Sequence, residues 1–205
     1  MNKIKLLTAT FLLITFNAFS QSGKHQSSTH TQILKLGINT FFNTDEFPFS
    51  ISWEKKVAKD ESIQIGFLPR FRSYNDDKTS GLGLNFAYRK YISKNRKGIN
   101  GLFISPIIKI GFLKDENSYS YYNGGNPPSV VSSKYSNNTT QFSGGFVFGH
   151  NWVYKSGFSF EVSAGMAYYN NKDESTNINN GTAYNTSYKE SGILPQLQLS
   201  FGYAF

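Results

Sequence analysis

The sequence predicts an all-β chain, an eight-stranded antiparallel up-and-down transmembrane β-barrel, and three observations carry that expectation. Eight segments alternate with period 2, and no amphipathic helical stretch competes with them. Within each segment the large apolar side chains share one face, while glycines, serines and the mid-segment charges share the other. The two long connections between segments fall at the same end, as in barrels with tight turns at one end and loops at the other.

The segments run over residues 33–42, 48–56, 62–73, 81–92, 101–113, 142–154, 158–169 and 192–205. In the first four the apolar face reads Leu34, Leu36, Ile38, Phe42; Phe49, Ile51, Trp53; Ile63, Ile65, Phe67, Phe71; and Leu82, Leu84, Phe86, Tyr88. The fifth gives Leu102, Ile104, Ile108, Ile110, Phe112, and the sixth Phe142, Phe146, Phe148, Trp152, Tyr154. The seventh gives Phe158, Phe160, Val162, Met166, Tyr168, and the eighth Ile193, Leu197, Leu199, Phe201, Tyr203, Phe205. No Lys, Arg, Asp or Glu interrupts the middle of this face. The other face has a few large members, Phe41, Leu68, Phe103, Ile107 and Val147, and Gly144 falls on the apolar side.

Period 2 alone leaves the direction of each face open, because a soluble barrel with an apolar interior alternates too. Side-chain volume decides. Eight strands enclose only enough room for side chains to fill, so a bulky face must point outward and a small, polar one inward. No apolar run after residue 20 approaches the roughly 20 residues of a spanning helix. A membrane-crossing chain of this sequence therefore crosses with strands.

With the N-terminus in the periplasm, the connections 57–61, 93–100 and Lys155-Ser156-Gly157 face that compartment. The outer connections are 43–47, 74–80 and two long ones, 114–141 and 170–191. Pro69, Pro106 and Pro195 lie within strands, and each forfeits a ladder hydrogen bond, so a bulge or local break is expected at each.

Residues 1–20 read as a secretory signal: Lys3 and Lys5, a largely apolar core from Leu6 to Phe16, and a small-residue site at Ala18-Phe19-Ser20. Residues 21–31 form a leader and 32–205 the barrel domain. There is no cysteine, which excludes a lipid-modified N-terminus, a disulfide framework and a thiolate metal site. The formal charge is +8, but the basic residues are scattered, so nucleic acid is not expected as a partner.

Seven charged residues project inward on this register. Lys35, Glu54, Arg89 and Glu161 gather toward the periplasmic end, where opposite charges in a narrow lumen must pair, and they are expected to form a salt-bridge plug. Arg70, Arg72 and Lys109 sit higher without an obvious acidic partner, as a solvated basic vestibule, and ordinary packing and solvation of all seven charges is the alternative. No catalytic residue is assigned. His150 stands alone in the barrel near Trp152, which suits a headgroup-level anchor better than a general base, and no serine matches it. Asp76-Asp77 and Asp173-Glu174 lack the spacing of a calcium loop, so no metal or cofactor is named. The long connections are rich in Tyr, Asn, Ser and Gly, among them Tyr119, Tyr121, Tyr135, Asn137, Tyr184 and Tyr188, a composition that serves adaptable recognition and a solvated loop equally.

Signal, alternating strands, loop asymmetry and the closing aromatic at Phe205 together resemble the small eight-stranded outer-membrane β-barrel family of the OmpA membrane domain and OmpX, particularly its Bacteroidota-type members with a junction like Ser20-Gln21. The resemblance covers 32–205, and no peptidoglycan-binding domain follows as in two-domain members. It implies a Gram-negative outer membrane, with lipids and the barrel-assembly machinery as partners, and Phe201, Tyr203 and Phe205 as the assembly signal. It further implies a non-enzymatic monomer with a structural or surface-interaction role for an unidentified extracellular ligand. Small-solute or transient-pore transport is the alternative, and a lipid A-modifying enzyme stands third.

Overall fold

The computed structural model describes residues 30–40, 48–74, 77–92, 99–124, 129–179 and 182–205. The signal segment, nearly all of the leader, the 43–47 connection and most of 93–100 lie outside the described residues. Eight strands follow in chain order: β1 (Gln32–Thr40), β2 (Phe49–Ala58), β3 (Glu61–Tyr74), β4 (Asp77–Tyr91), β5 (Gly101–Asn123), β6 (Ser129–Val153), β7 (Phe158–Asn179) and β8 (Thr182–Ala204). Each pairs antiparallel with its neighbours, and β8 returns to β1 to close the ring.

Closure is completed by the backbone of the last residue. The amides of Thr31 and Gln32 donate to the Phe205 carbonyl at 3.2 and 3.1 Å, and the Phe205 amide donates to Gln32 at 2.9 Å. At the same end Gly157 takes φ +87° to turn β6 into β7, a conformation that a side chain would strain.

The side-chain alternation is inside out. Phe146, Phe148, Met166 and Leu36 are about 60% exposed on the outer wall, whereas Lys35, Glu54, Arg89 and Glu161 are at most 2% exposed on the axis. The chain is thus a closed β-barrel of the outer-membrane type, with a bulky apolar exterior around a small and polar interior. The larger inward residues occupy defined gaps. Phe103 lies against Gly149, where an added Cβ would come within 2.4 Å of the ring.

Two expectations are corrected. Residues 114–141 and 170–191 are not long loops: β5 runs on to Asn123, β6 starts at Ser129, β7 continues to Asn179 and β8 starts at Thr182. Period-2 hydrophobicity fades there because both faces of the sheet meet water, yet the backbone still needs partners and the hairpins continue in register. Likewise 74–80 is mostly strand, with Tyr74 paired to Asp77. Pairing of β4 to β5 ends at Lys78↔Glu116 and that of β1 to β8 at Thr40↔Leu197. Above those points β5–β8 form a four-stranded sheet that rises from the rim, with no further ladder on its two outer edges among the described residues.

The prolines are accommodated in two ways. Opposite Pro106 the β4–β5 ladder skips Tyr88 and Arg89, and the Ser105 hydroxyl donates to the Tyr88 carbonyl at 2.7 Å. Pro69 and Pro195 need no bulge. Each pairs in regular register on one side, with Leu82 and Met166, and lies past the last described pair of the ladder on the other. The one register shift among the described pairs falls between Lys56 and Ala58.

Candidate functional site: a charged lumen

Four strands deliver the charges of the lumen: β1 brings Lys35, β2 Glu54, β4 Arg89 and β7 Glu161. Inward parity sends each to the axis. The Lys35 ammonium donates to Glu54 Oε2 and, at 2.5 Å, to Glu161 Oε2. Arg89 grips Glu161 with both guanidinium ends, Nη1 to Oε2 at 2.6 Å and Nη2 to Oε1 at 2.9 Å, and reaches Glu54 Oε2 at 3.1 Å. Two cations and two carboxylates thus cancel within one hydrogen-bonded knot.

Burial makes that cancellation necessary. An isolated charge in so dry a place costs several kcal/mol, and bidentate arginine–carboxylate geometry offsets much of that cost. Glu54 has two further donors, Tyr91 Oη at 2.6 Å and Ser62 Oγ at 2.5 Å, both to Oε1. The Arg89 guanidinium carbon lies 4.3 Å from the Phe103 ring centre, a cation–π contact that covers the knot with an apolar lid. Sequence reasoning singled out the four charges and missed Tyr91 and Ser62 as partners and Phe103 as the lid. Their signal was available: Tyr91 follows Arg89 by two residues on the same inward parity, and Ser62 shares that face.

Above the knot lies a cavity of about 20 Å³ lined in part by Gln64, Asn85, Arg89, Lys109, Gln196 and Gln198. Gln64 Oε1, Asn85 Oδ1 and Arg89 Nε find no protein partner there among the described residues. The space suits about one water, which needs roughly 10–15 Å³ and several polar neighbours.

The three residues of the expected basic vestibule differ in burial. Arg70 is buried at 8% exposure, and Lys109 is half-buried on the wall of the cavity. Arg72 is exposed, two residues before the end of β3. Phe201, Tyr203 and Phe205 all stand exposed on the outer wall. Phe201 continues an aromatic row that runs through Phe160 at 5.1 Å, Trp152 at a further 5.5 Å and His150 at 4.0 Å beyond.

The inner face of the protruding sheet is stitched by side chains. Ser175 Oγ donates to Asn137 Oδ1 at 3.0 Å and lies 2.9 Å from Tyr135 Oη, Tyr169 Oη donates to Glu190 at 2.8 Å, and Thr139 donates to Asp173. On its outer face Lys114 meets Glu116 at 2.7 Å, and this ammonium holds the Glu116 carboxyl below the ordinary carboxylate range. Among the described residues no group of three His, Cys, Asp or Glu is placed to hold a metal.

No family model matches the sequence, and no curated protein does. Among solved structures the chain is similar to the translocator domain of the autotransporter NalP from Neisseria meningitidis, over 98% of this chain and 97% of that one, at 13% identity and a TM-score of 0.39.

Proposed function

We propose that this chain is an integral protein of a Gram-negative outer membrane, non-enzymatic, closed through its centre, with a structural or surface-interaction role exercised by its protruding β5–β8 sheet. The observation that carries the reading is the sidedness of the wall. On β7 the outward residues Phe158, Phe160, Val162, Ala164, Met166 and Tyr168 form an unbroken apolar run of about 11 residues, the length of a tilted strand in a bilayer. Exposed apolar area of this extent on every strand is untenable in water and suited to acyl chains. The aromatic row at the turn end supports a headgroup anchor at that boundary.

Orientation follows from the same logic, with tight turns toward the periplasm and the tall sheet toward the exterior. The knot of Lys35, Glu54, Arg89 and Glu161 supports a sealed lumen over a standing pore. Phe201, Tyr203 and Phe205 remain the proposed contact for the assembly machinery, being accessible on the wall beside the closing seam.

The test is insertion. Urea-unfolded protein diluted into phosphatidylcholine vesicles is expected to gain β-sheet circular dichroism, to float with the lipid and to resist protease across the wall strands at residues 101–113, 142–169 and 192–204. A monodisperse folded protein in buffer free of lipid and detergent would overturn the reading.

A further inference from the structure

Just above the apolar band the outer wall turns basic. On β7 the outward series passes from Tyr168 through Asn170 to Lys172, on β8 from Ile193 through Ser191 to Lys189, and on β5 from Phe112 directly to Lys114. Lys78 on β4 shares this outward parity, and Lys134 on β6 shares it farther up the sheet, eight residues beyond Phe142 and opposite Ile178. Five lysines thus face outward across five consecutive strands, against Glu116 and Glu174 as the acids of that face. The opposite face of the same sheet carries Asp115, Asp173 and Glu190. The two faces are therefore opposite in sign.

One pair is placed against its own interest. Lys172 and Lys189 are directly opposed across the β7–β8 ladder, an arrangement of like charges that destabilises a sheet. Glu174 offsets Lys172 at 2.5 Å, while Lys189 has no acidic side chain within salt-bridge distance among the described residues. Both ammonium groups lie at the level where a bilayer embedding the apolar band would present its headgroups.

We propose that this lysine belt, centred on Lys172 and Lys189, is a docking surface for the phosphate of an anionic lipid headgroup in the outward leaflet. The inference rests on the membrane reading above and adds the chemistry of the lipid. A phosphate set between the two ammonium groups relieves their repulsion, and the acyl chains of the same molecule lie against Tyr168 and Ile193 directly below. Charge complementarity and this vertical register favour a lipid over a soluble anion, which would gain only the charge contact.

The experiment uses the full chain refolded into phosphatidylcholine vesicles doped with a few per cent phosphatidylglycerol, floated, extracted and analysed for retained lipid. Wild type is expected to enrich phosphatidylglycerol, and Lys172→Gln with Lys189→Gln to lower that enrichment by about fivefold per lysine. Lys55→Gln, at the opposite rim, is expected to leave it unchanged. Equal retention by wild type and the double variant would overturn the proposal, as would an equal loss in Lys55→Gln, which would mark general attraction. Displacement of the lipid by millimolar inorganic phosphate would identify a free-anion site and overturn the choice of a lipid. Failure of the wild type to float would sink the membrane reading and this inference with it, whereas flotation without enrichment would sink this inference alone.

Discussion

Glu161 is the residue on which the interior turns, because it receives both hydrogen bonds of the Arg89 fork and one from Lys35. Glu161→Gln keeps the shape, removes the charge and leaves two buried cations facing Glu54 alone. The expected cost is about 3–5 kcal/mol, read from urea unfolding in vesicles. Adding Lys35→Met to that variant restores neutrality and is expected to recover part of the loss. An unchanged midpoint for Glu161→Gln would remove the knot from any account of stability. The four charges were legible in the sequence because parity alone turns them inward. That they pair was expected as well, but which donor reaches which oxygen was not legible, since it depends on how far four side chains from different strands reach across the lumen. Arg72 shows the limit: its parity is inward, but it lies at the mouth, where parity no longer implies burial.

Strand existence was legible wherever one face was bulky and apolar and the other small and polar, and strand length was not. Beyond Leu113 and before Gln141 polar residues occupy both faces, so hydropathy carries no period although the ladder persists. Tyr, Thr and Val in these stretches are good strand formers, which was the available signal. The outer edge of β8, which carries no second ladder among the described residues beyond Leu197, gives a direct check. In an antiparallel pair only alternate residues of an edge strand donate to the neighbour. Amide exchange over residues 184–190 is therefore expected to alternate between protected and fast, while residues 171–178 of β7, paired on both sides, stay protected throughout. Uniformly fast exchange in both stretches would return them to loops. At Pro106 the break is repaired locally, and Ser105→Ala, which strips a buried hydroxyl from the Tyr88 carbonyl, is expected to cost about 1–3 kcal/mol in the same unfolding assay.

At the scale of the molecule, a barrel of eight strands filled by the Lys35–Glu54–Arg89–Glu161 knot, with room above it for about one water, is expected to show no steady conductance in planar bilayers. Stable anion-selective channels from pure protein would favour the transport reading instead. The sequence by itself determined the class of fold, the number and order of the strands and which face of each looks outward. Those follow from a period of two and from the volume available inside eight strands, both local or nearly local properties. Only the tertiary structure decided that the outer connections rise as paired sheet, that Tyr91, Ser62 and Phe103 complete the charged knot, and that Lys172 opposes Lys189. Each of these depends on register between strands distant in the chain, where hydrogen bonding and charge, rather than hydrophobic pattern, choose the partner.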